Sequence, residues 1–250
     1  MRRRRQGFGG PEMKEVLLVV RTSTCCDRMR DRLPLFDSDT RINITWVIEP
    51  GSVFVDGLDV YLKGLDVRLI TWTEANSRRW DLVLAAHIDR GLGCLRGVVF
   101  VFSHGAGFNR VLPSRTRSED EPVGLSRHEH RTRWGRLIAS VIGLSHEDQR
   151  ASLMRLGRGA VERGYVIGDP TFDRIKANLP MREEFRRGLG LLPWQELVTI
   201  TSTWGVHALV RRPELVNRLL AQLPQDEFRV ALVLHPNEWR LYGAMPRSLS

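Results

Sequence analysis

A chain of 250 residues, 42% hydrophobic and 27% charged, has the composition of a soluble globular protein of one large or two small domains, which excludes the disordered and fibrous classes. Its 38 Lys and Arg against 29 Asp and Glu leave a formal charge of +9, and no segment reaches the ~20 apolar residues of a membrane span. Cys25, Cys26 and Cys94 are too few for a disulfide framework, and neither CxxC nor HExxH spacing signals a metal, so reduced thiols, a cytoplasmic setting and no cofactor are expected.

Residues 1–12 carry the run Arg2 to Arg5 and three glycines without apolar periodicity, and read as a disordered basic tail. The apolar run 16–20 is too short for the core of an export signal and is followed by Arg21. Charge alone assigns the tail no specific nucleic-acid partner; a peripheral contact with an anionic inner membrane surface is the role open to it.

From residue 15 the chain alternates short apolar runs with short helical patterns. Residues 15–21 (EVLLVVR) predict a first strand, 22–27 a polar turn offering an N-cap, and 28–35 a helix. Strands follow at 42–48, 67–72, 81–86 and 98–102, with a helix over 53–63. Residues 112–136 lose periodicity and read as a solvated arginine-rich loop holding His128 and His130. A strand at 137–144, a helix at 149–158 and a short strand at 165–167 complete the first half. Strands of this length at this pace predict an α/β fold with a Rossmann-like, doubly wound parallel sheet. After an amphipathic segment at 181–189, strands at 197–201 and 229–234 flank a helix opened by Pro213, whose Leu215, Val216, Leu219, Leu220 and Leu223 share one face. Two strands are fewer than a mononucleotide-binding half needs, so a partial second Rossmann-like domain is expected over 181–250, after a first domain over 13–180.

The candidate site residues stand where strands stop. The run VVFVF ends in Ser103, His104, Gly105, Ala106 and Gly107; His104 is then a titratable ring at the rim of a crevice, and the glycines let a ligand approach the backbone. Asp169 and Asp173 lie in GDPTFD, also an ordinary turn in which Asp173 would cap the next helix. Ser202, Thr203 and Gly205, in TSTWG, offer hydroxyls and backbone N–H groups to phosphate oxygens, or form a capping turn with a core Trp204. His235 ends the last strand as His104 ends an earlier one; if both halves are Rossmann-like, the two rings face a shared cleft.

The order SHGAGFNR, GDPTFD, TSTWG, LVLHPNEW resembles the CDP-glycerol glycerophosphotransferase family, of the two-domain GT-B fold, and more distantly the UDP-N-acetylglucosamine 2-epimerases. The resemblance spans residues 98–239 by motif and implies a carboxyl-terminally truncated member, with an acceptor-side first domain and a donor-side second. It implies His104 as general base for the acceptor hydroxyl, and His235, with Ser202, Thr203 and Gly205 nearby, at the donor phosphates. The expected function is transfer of a glycerophosphoryl or glycosyl group from a nucleotide-activated donor, CDP-glycerol or a nucleotide sugar, to an acceptor hydroxyl compound. The alternatives are a UDP-sugar 2-epimerase, which needs cleft carboxylates that the residues after His104 do not supply, and a non-catalytic nucleotide- or sugar-binding remnant of the fold.

Overall fold

Seven parallel strands gather the apolar runs of the first half into one sheet. The computed structural model describes residues 12–51, 57–103, 105, 107, 124–125, 127–203, 205–235 and 238, and the chain divides into two units, Met1–Arg174 and Ile175–Ser250.

In the first unit, β1 (Lys14–Val20) is central because Val16 to Val20 contain no polar residue and can only be buried on both faces; all five are at most 3% exposed. It pairs on one side with β2 (Ile42–Ile48), which pairs with β3 (Leu69–Ile70). On the other side lie β4 (Arg79–Ala85), β5 (Arg96–Phe102), β6 (Val141–Leu144) and β7 (Gly164–Val166). The order β3-β2-β1-β4-β5-β6-β7 reverses direction between β1 and β4, so the loops after those two strands diverge and leave a crevice at their carboxyl ends.

The period of two along β1 divides the core into two layers. Leu18 and Val20 pack with Cys26 and Met29 of α1 (Ser23–Arg30) and Leu62 of α2 (Leu58–Gly64). Leu17 and Val19 pack in the layer that holds Ala75 of α3 (Trp72–Ser77). That layer also receives Leu125, ahead of α4 (Arg127–His130), Leu153 of α5 (Arg150–Met154) and Ala160 of α6 (Arg158–Val161). Both faces are therefore covered, as the parallel sheet requires.

Several local expectations change. The first helix starts at Ser23, inside the segment read as a turn, because the Thr22 hydroxyl accepts the Cys25 N–H at 3.1 Å; residues 33–35 form only a single 3-10 turn. Strand 67–72 shrinks to two residues because Thr71 opens α3 with a reciprocal capping box to Glu74. The helix expected over 149–158 is shortened to α5, and Gly157, whose φ of +103° a side chain would resist, separates it from α6. Val98 is 48% exposed, so the run before His104 is fully buried only from Val99 onward, with Phe100 partly covered. The solvated reading of 112–136 fails at Leu125 and His130, both buried, the His130 Nε2 donating to the Gly124 carbonyl at 2.7 Å, whereas Arg133 to Arg136 are exposed. Residues 1–11, 52–56 and 112–123 lie outside the described residues.

GDPTFD opens a nine-residue helix, α7 (Pro170–Asn178), which continues through a 3-10 turn to α8 (Arg182–Gly188). Asp169, and not Asp173, accepts the Thr171 N–H at 3.0 Å at its start; Asp173 is exposed in the first turn. In the second unit, β8 (Glu196–Ser202) runs parallel to β9 (Phe228–Leu234) with α9 (Pro213–Leu220) between them in sequence. Val216 is the residue of α9 that is buried, while Leu215 and Leu219 stay partly open at 42% and 37%. Among the described residues no helix is long and apolar enough to cross a membrane.

Candidate functional site

In the first unit, polar side chains collect at the carboxyl ends of β1, β2 and β4, the position of the topological switch. Glu49 follows β2 and is 2% exposed; His87 follows β4 and is 9% exposed. His87 Nε2 and Glu49 Oε2 are 2.6 Å apart. Arg21, after β1, lies 3.6 Å from Glu49 and donates to Asp89 at 2.8 Å. Asp89 also accepts the Gly91 N–H at 2.9 Å, and a side chain at position 91 would run into the Glu49 carboxylate. Burial works against the Asp89 charge, but Gly91 and Arg21 hold its carboxyl below the ordinary value.

Burial likewise opposes a charged His87, yet the Cys25 thiol and the Glu49 carboxylate outweigh it and raise the ring to about 9. Cys25, in the first turn of α1, is pushed up by burial and pulled back further by His87 and the Thr22 cap, so its thiol ends below the usual value. His87 Nδ1 and Glu49 Oε1 are buried without a hydrogen-bond partner. Sequence reading treats Glu49 as a strand stop and His87 as a strand end; 38 residues apart, they share no local spacing that would join them.

A second group lies further along the same edge. Arg32, 8% exposed, stacks 3.5 Å from the centre of the Phe102 ring and donates to the Arg28 carbonyl at 2.6 Å; burial lowers its guanidinium to about 10. With Ser103, Gly105, Ser145 and Asp169 it borders a shallow recess. The Ser103 hydroxyl donates to the Gly105 carbonyl at 2.7 Å, which folds the turn back on itself. Asp169 lies 3.4 Å from Arg28, while Asp31 accepts from Thr171 at 2.7 Å and pairs with Arg174 at 3.0 Å, so the GDPT turn is tied to α1. His104, Ala106 and residues 108–110 lie outside the described residues; Gly107 is in a bend at φ +147°.

In the second unit the parallel register sets Ser202 opposite Leu234, so the turns after β8 and β9 start side by side. The Ser202 hydroxyl accepts the Leu209 N–H at 2.7 Å and donates to the Thr203 carbonyl at 2.9 Å. Gly205, at φ +76°, donates its N–H to Glu238 at 2.7 Å. Glu238 is fully buried, and its other oxygen has no partner. Thr203 is exposed and His235 half-buried; Trp204 lies outside the described residues. The structure thus brings Ser202, Gly205 and Glu238 into one hydrogen-bonded loop system with His235 at its edge. The Glu238 role had one available signal, a carboxylate three residues after a strand-ending histidine. Among the described residues no cluster of His, Cys, Asp and Glu is arranged to hold a metal ion.

No protein-family model matches the sequence, and no curated protein matches it. Solved structures do. The UDP-N-acetylglucosamine 2-epimerase from Rickettsia bellii aligns over 94% of this chain with a TM-score of 0.57 and 15% identity. The wall teichoic acid polymerase TagF, in a crystal soaked with CDPG, aligns over 93% with a TM-score of 0.55 and 13% identity. A further UDP-N-acetylglucosamine 2-epimerase aligns over 92% at 0.53 and 10%. The chain spans 66%, 58% and 64% of those three proteins respectively. Such identities show the fold: an α/β chain of GT-B type, with a seven-stranded Rossmann-like parallel sheet and a second, smaller parallel sheet.

Proposed function

We propose that this chain acts as a GT-B-type transferase that moves a glycerophosphoryl or glycosyl group from a nucleotide-activated donor to an acceptor hydroxyl. The supporting observation is that both sheets carry their polar turns at the carboxyl ends of parallel strands, in a fold shared with TagF and with two 2-epimerases. In this reading residues 13–180 take the acceptor and 181–250 the donor. His104 removes the acceptor proton, since imidazole titrates near neutrality, and Gly105 and Gly107 keep its turn open. Donor phosphates lie against the TSTWG turn. Ser202 and Gly205, held by Leu209 and Glu238, shape that turn, and Ser202, Thr203, Gly205 and His235 make up the donor phosphate site. Asp169 orders the α7 start, while Asp173 stays exposed in its first turn. The reaction is assigned to the cytoplasm, with the Arg2 to Arg5 segment at the inner membrane surface, and needs no cofactor.

A second reading, UDP-sugar 2-epimerisation, is favoured by Glu49 and Asp89, which supply the carboxylates missing around His104. Incubation with CDP-glycerol or UDP-N-acetylglucosamine plus an acceptor polyol separates the two. Nucleotide release with a new phosphodiester or glycoside supports transfer; an epimerised UDP-sugar without release supports the second reading, and neither product overturns both. For transfer, His104→Ala lowers turnover by ~10²- to 10⁴-fold with little change in donor KM. His235→Ala raises donor KM by roughly tenfold, ~1.4 kcal/mol. Wild-type kinetics in both variants would remove these roles.

A further inference from the structure

A guanidinium buried as deeply as that of Arg32 is ordinarily paired with a carboxylate, because desolvating the charge costs more than one hydrogen bond offsets. Arg32 is 8% exposed. Among the described residues it has no carboxylate within ion-pair distance, and its one side-chain hydrogen bond runs from Nη1 to the Arg28 carbonyl. The carboxylates nearby are engaged elsewhere: Asp169 lies 3.4 Å from Arg28 and accepts the Thr171 N–H, and Asp31 pairs with Arg174 at 3.0 Å. The buried Phe102 ring covers one face of the guanidinium at 3.5 Å. What remains is the edge formed by Nε and Nη2, the side-on fork that matches the two oxygens of a carboxylate. Arg32 borders the recess at the carboxyl ends of β5 and β6, and a side chain on Gly105 or Gly168 at its rim would meet nothing within 4 Å, so the mouth is open.

We propose that this recess is a carboxylate-binding subsite, in which Arg32 grips the acid group of a hydroxy carboxylate. Three features favour a carboxylate over a phosphate. The recess is shallow and one face of the guanidinium is covered, so a planar group lying edge-on to it fits better than a tetrahedral one. The lining adds one uncommitted side-chain donor, the Ser145 hydroxyl, because the Ser103 hydroxyl is spent on the Gly105 carbonyl and Asp169 offers only acceptors. The charges beside the recess set Arg28, Arg32 and Arg174 against Asp31 and Asp169, an excess of one positive charge that one carboxylate neutralises. The next step rests on the transfer reading: Ser103 and Gly105 flank position 104 in the chain, so the acceptor hydroxyl belongs to the same molecule whose acid group Arg32 holds. Arg32 is then a specificity-determining residue for an acidic acceptor.

The test titrates the full chain, without nucleotide, with D-glucuronate, its neutral analogue D-glucuronamide and inorganic phosphate, following binding by calorimetry. Glucuronate is expected to bind at least about tenfold more tightly than either of the others. Equal affinity for glucuronamide, phosphate binding as tight as glucuronate, or no glucuronate binding up to about 50 mM overturns the proposal without any variant. Arg32→Lys keeps the charge and loses the fork, and is expected to weaken glucuronate about tenfold; an unchanged affinity also overturns it. With a nucleotide-activated donor added, kcat/KM for nucleotide release is expected to be at least about tenfold higher with glucuronate than with glucuronamide, and equal values overturn the acceptor assignment. Release with neither compound removes the transfer reading alone, since the binding comparison decides the subsite by itself.

Discussion

The single residue with most influence at the first sheet's edge is His87. Its folded value of about 9 lies above the ordinary 6.5, so the native state holds its proton more tightly than the unfolded chain. The stability this contributes, on the order of 1 to 3 kcal/mol, is complete below about pH 6.5 and lost as pH rises through about 9. Urea midpoints measured across that range should fall on the alkaline side in the wild type and stay flatter in His87→Gln. Gly91→Ala should mimic the flatter curve, because its methyl group displaces the Glu49 carboxylate that holds the ring. None of this is legible from local sequence. Glu49 reads as the end of a strand and His87 as the end of another, and only parallel pairing through β1 brings them to 2.6 Å. His104 and His235, by contrast, announce themselves through the glycines and the proline beside them.

At the scale of elements, strands and helices respond to different features of the chain. A strand buried on both faces is specified by every residue in it, so β1 and β2 lie within a residue of their expected bounds. Leu17→Ala, at the centre of β1 and fully buried, should cost about 2 to 5 kcal/mol in chemical denaturation. The short helices are specified at their ends. Thr22 and the Thr71–Glu74 capping box decide where α1 and α3 start, and apolar periodicity over six or eight residues is too brief to reveal either. Thr71→Ala should therefore cost only about 1 kcal/mol, and a loss as large as that of Leu17→Ala would contradict this division. Asp169 belongs with the caps: its side chain starts α7 and pairs with Arg28, which explains an acidic residue in a turn also read as part of a cleft.

For the whole molecule, the proposed transferase function makes a nucleotide-activated ligand the testable partner. If CDP-glycerol or UDP-N-acetylglucosamine binds the native chain, a concentration 100 times Kd should add ~2.7 kcal/mol of stability and raise Tm by a few degrees. No shift with either compound would contradict the proposed donor, and a shift without turnover would favour a binding role. The sequence by itself determined the architecture: uninterrupted apolar runs spaced by short helical patterns can be satisfied only by a parallel sheet covered on both faces. What the tertiary structure alone decided is which polar groups meet. Side chains from loops far apart in sequence become neighbours because parallel strands place all their carboxyl ends along one edge, about 4.8 Å apart. Hence the His87–Glu49 pair and the Glu238 bond to Gly205 have no counterpart in any local motif.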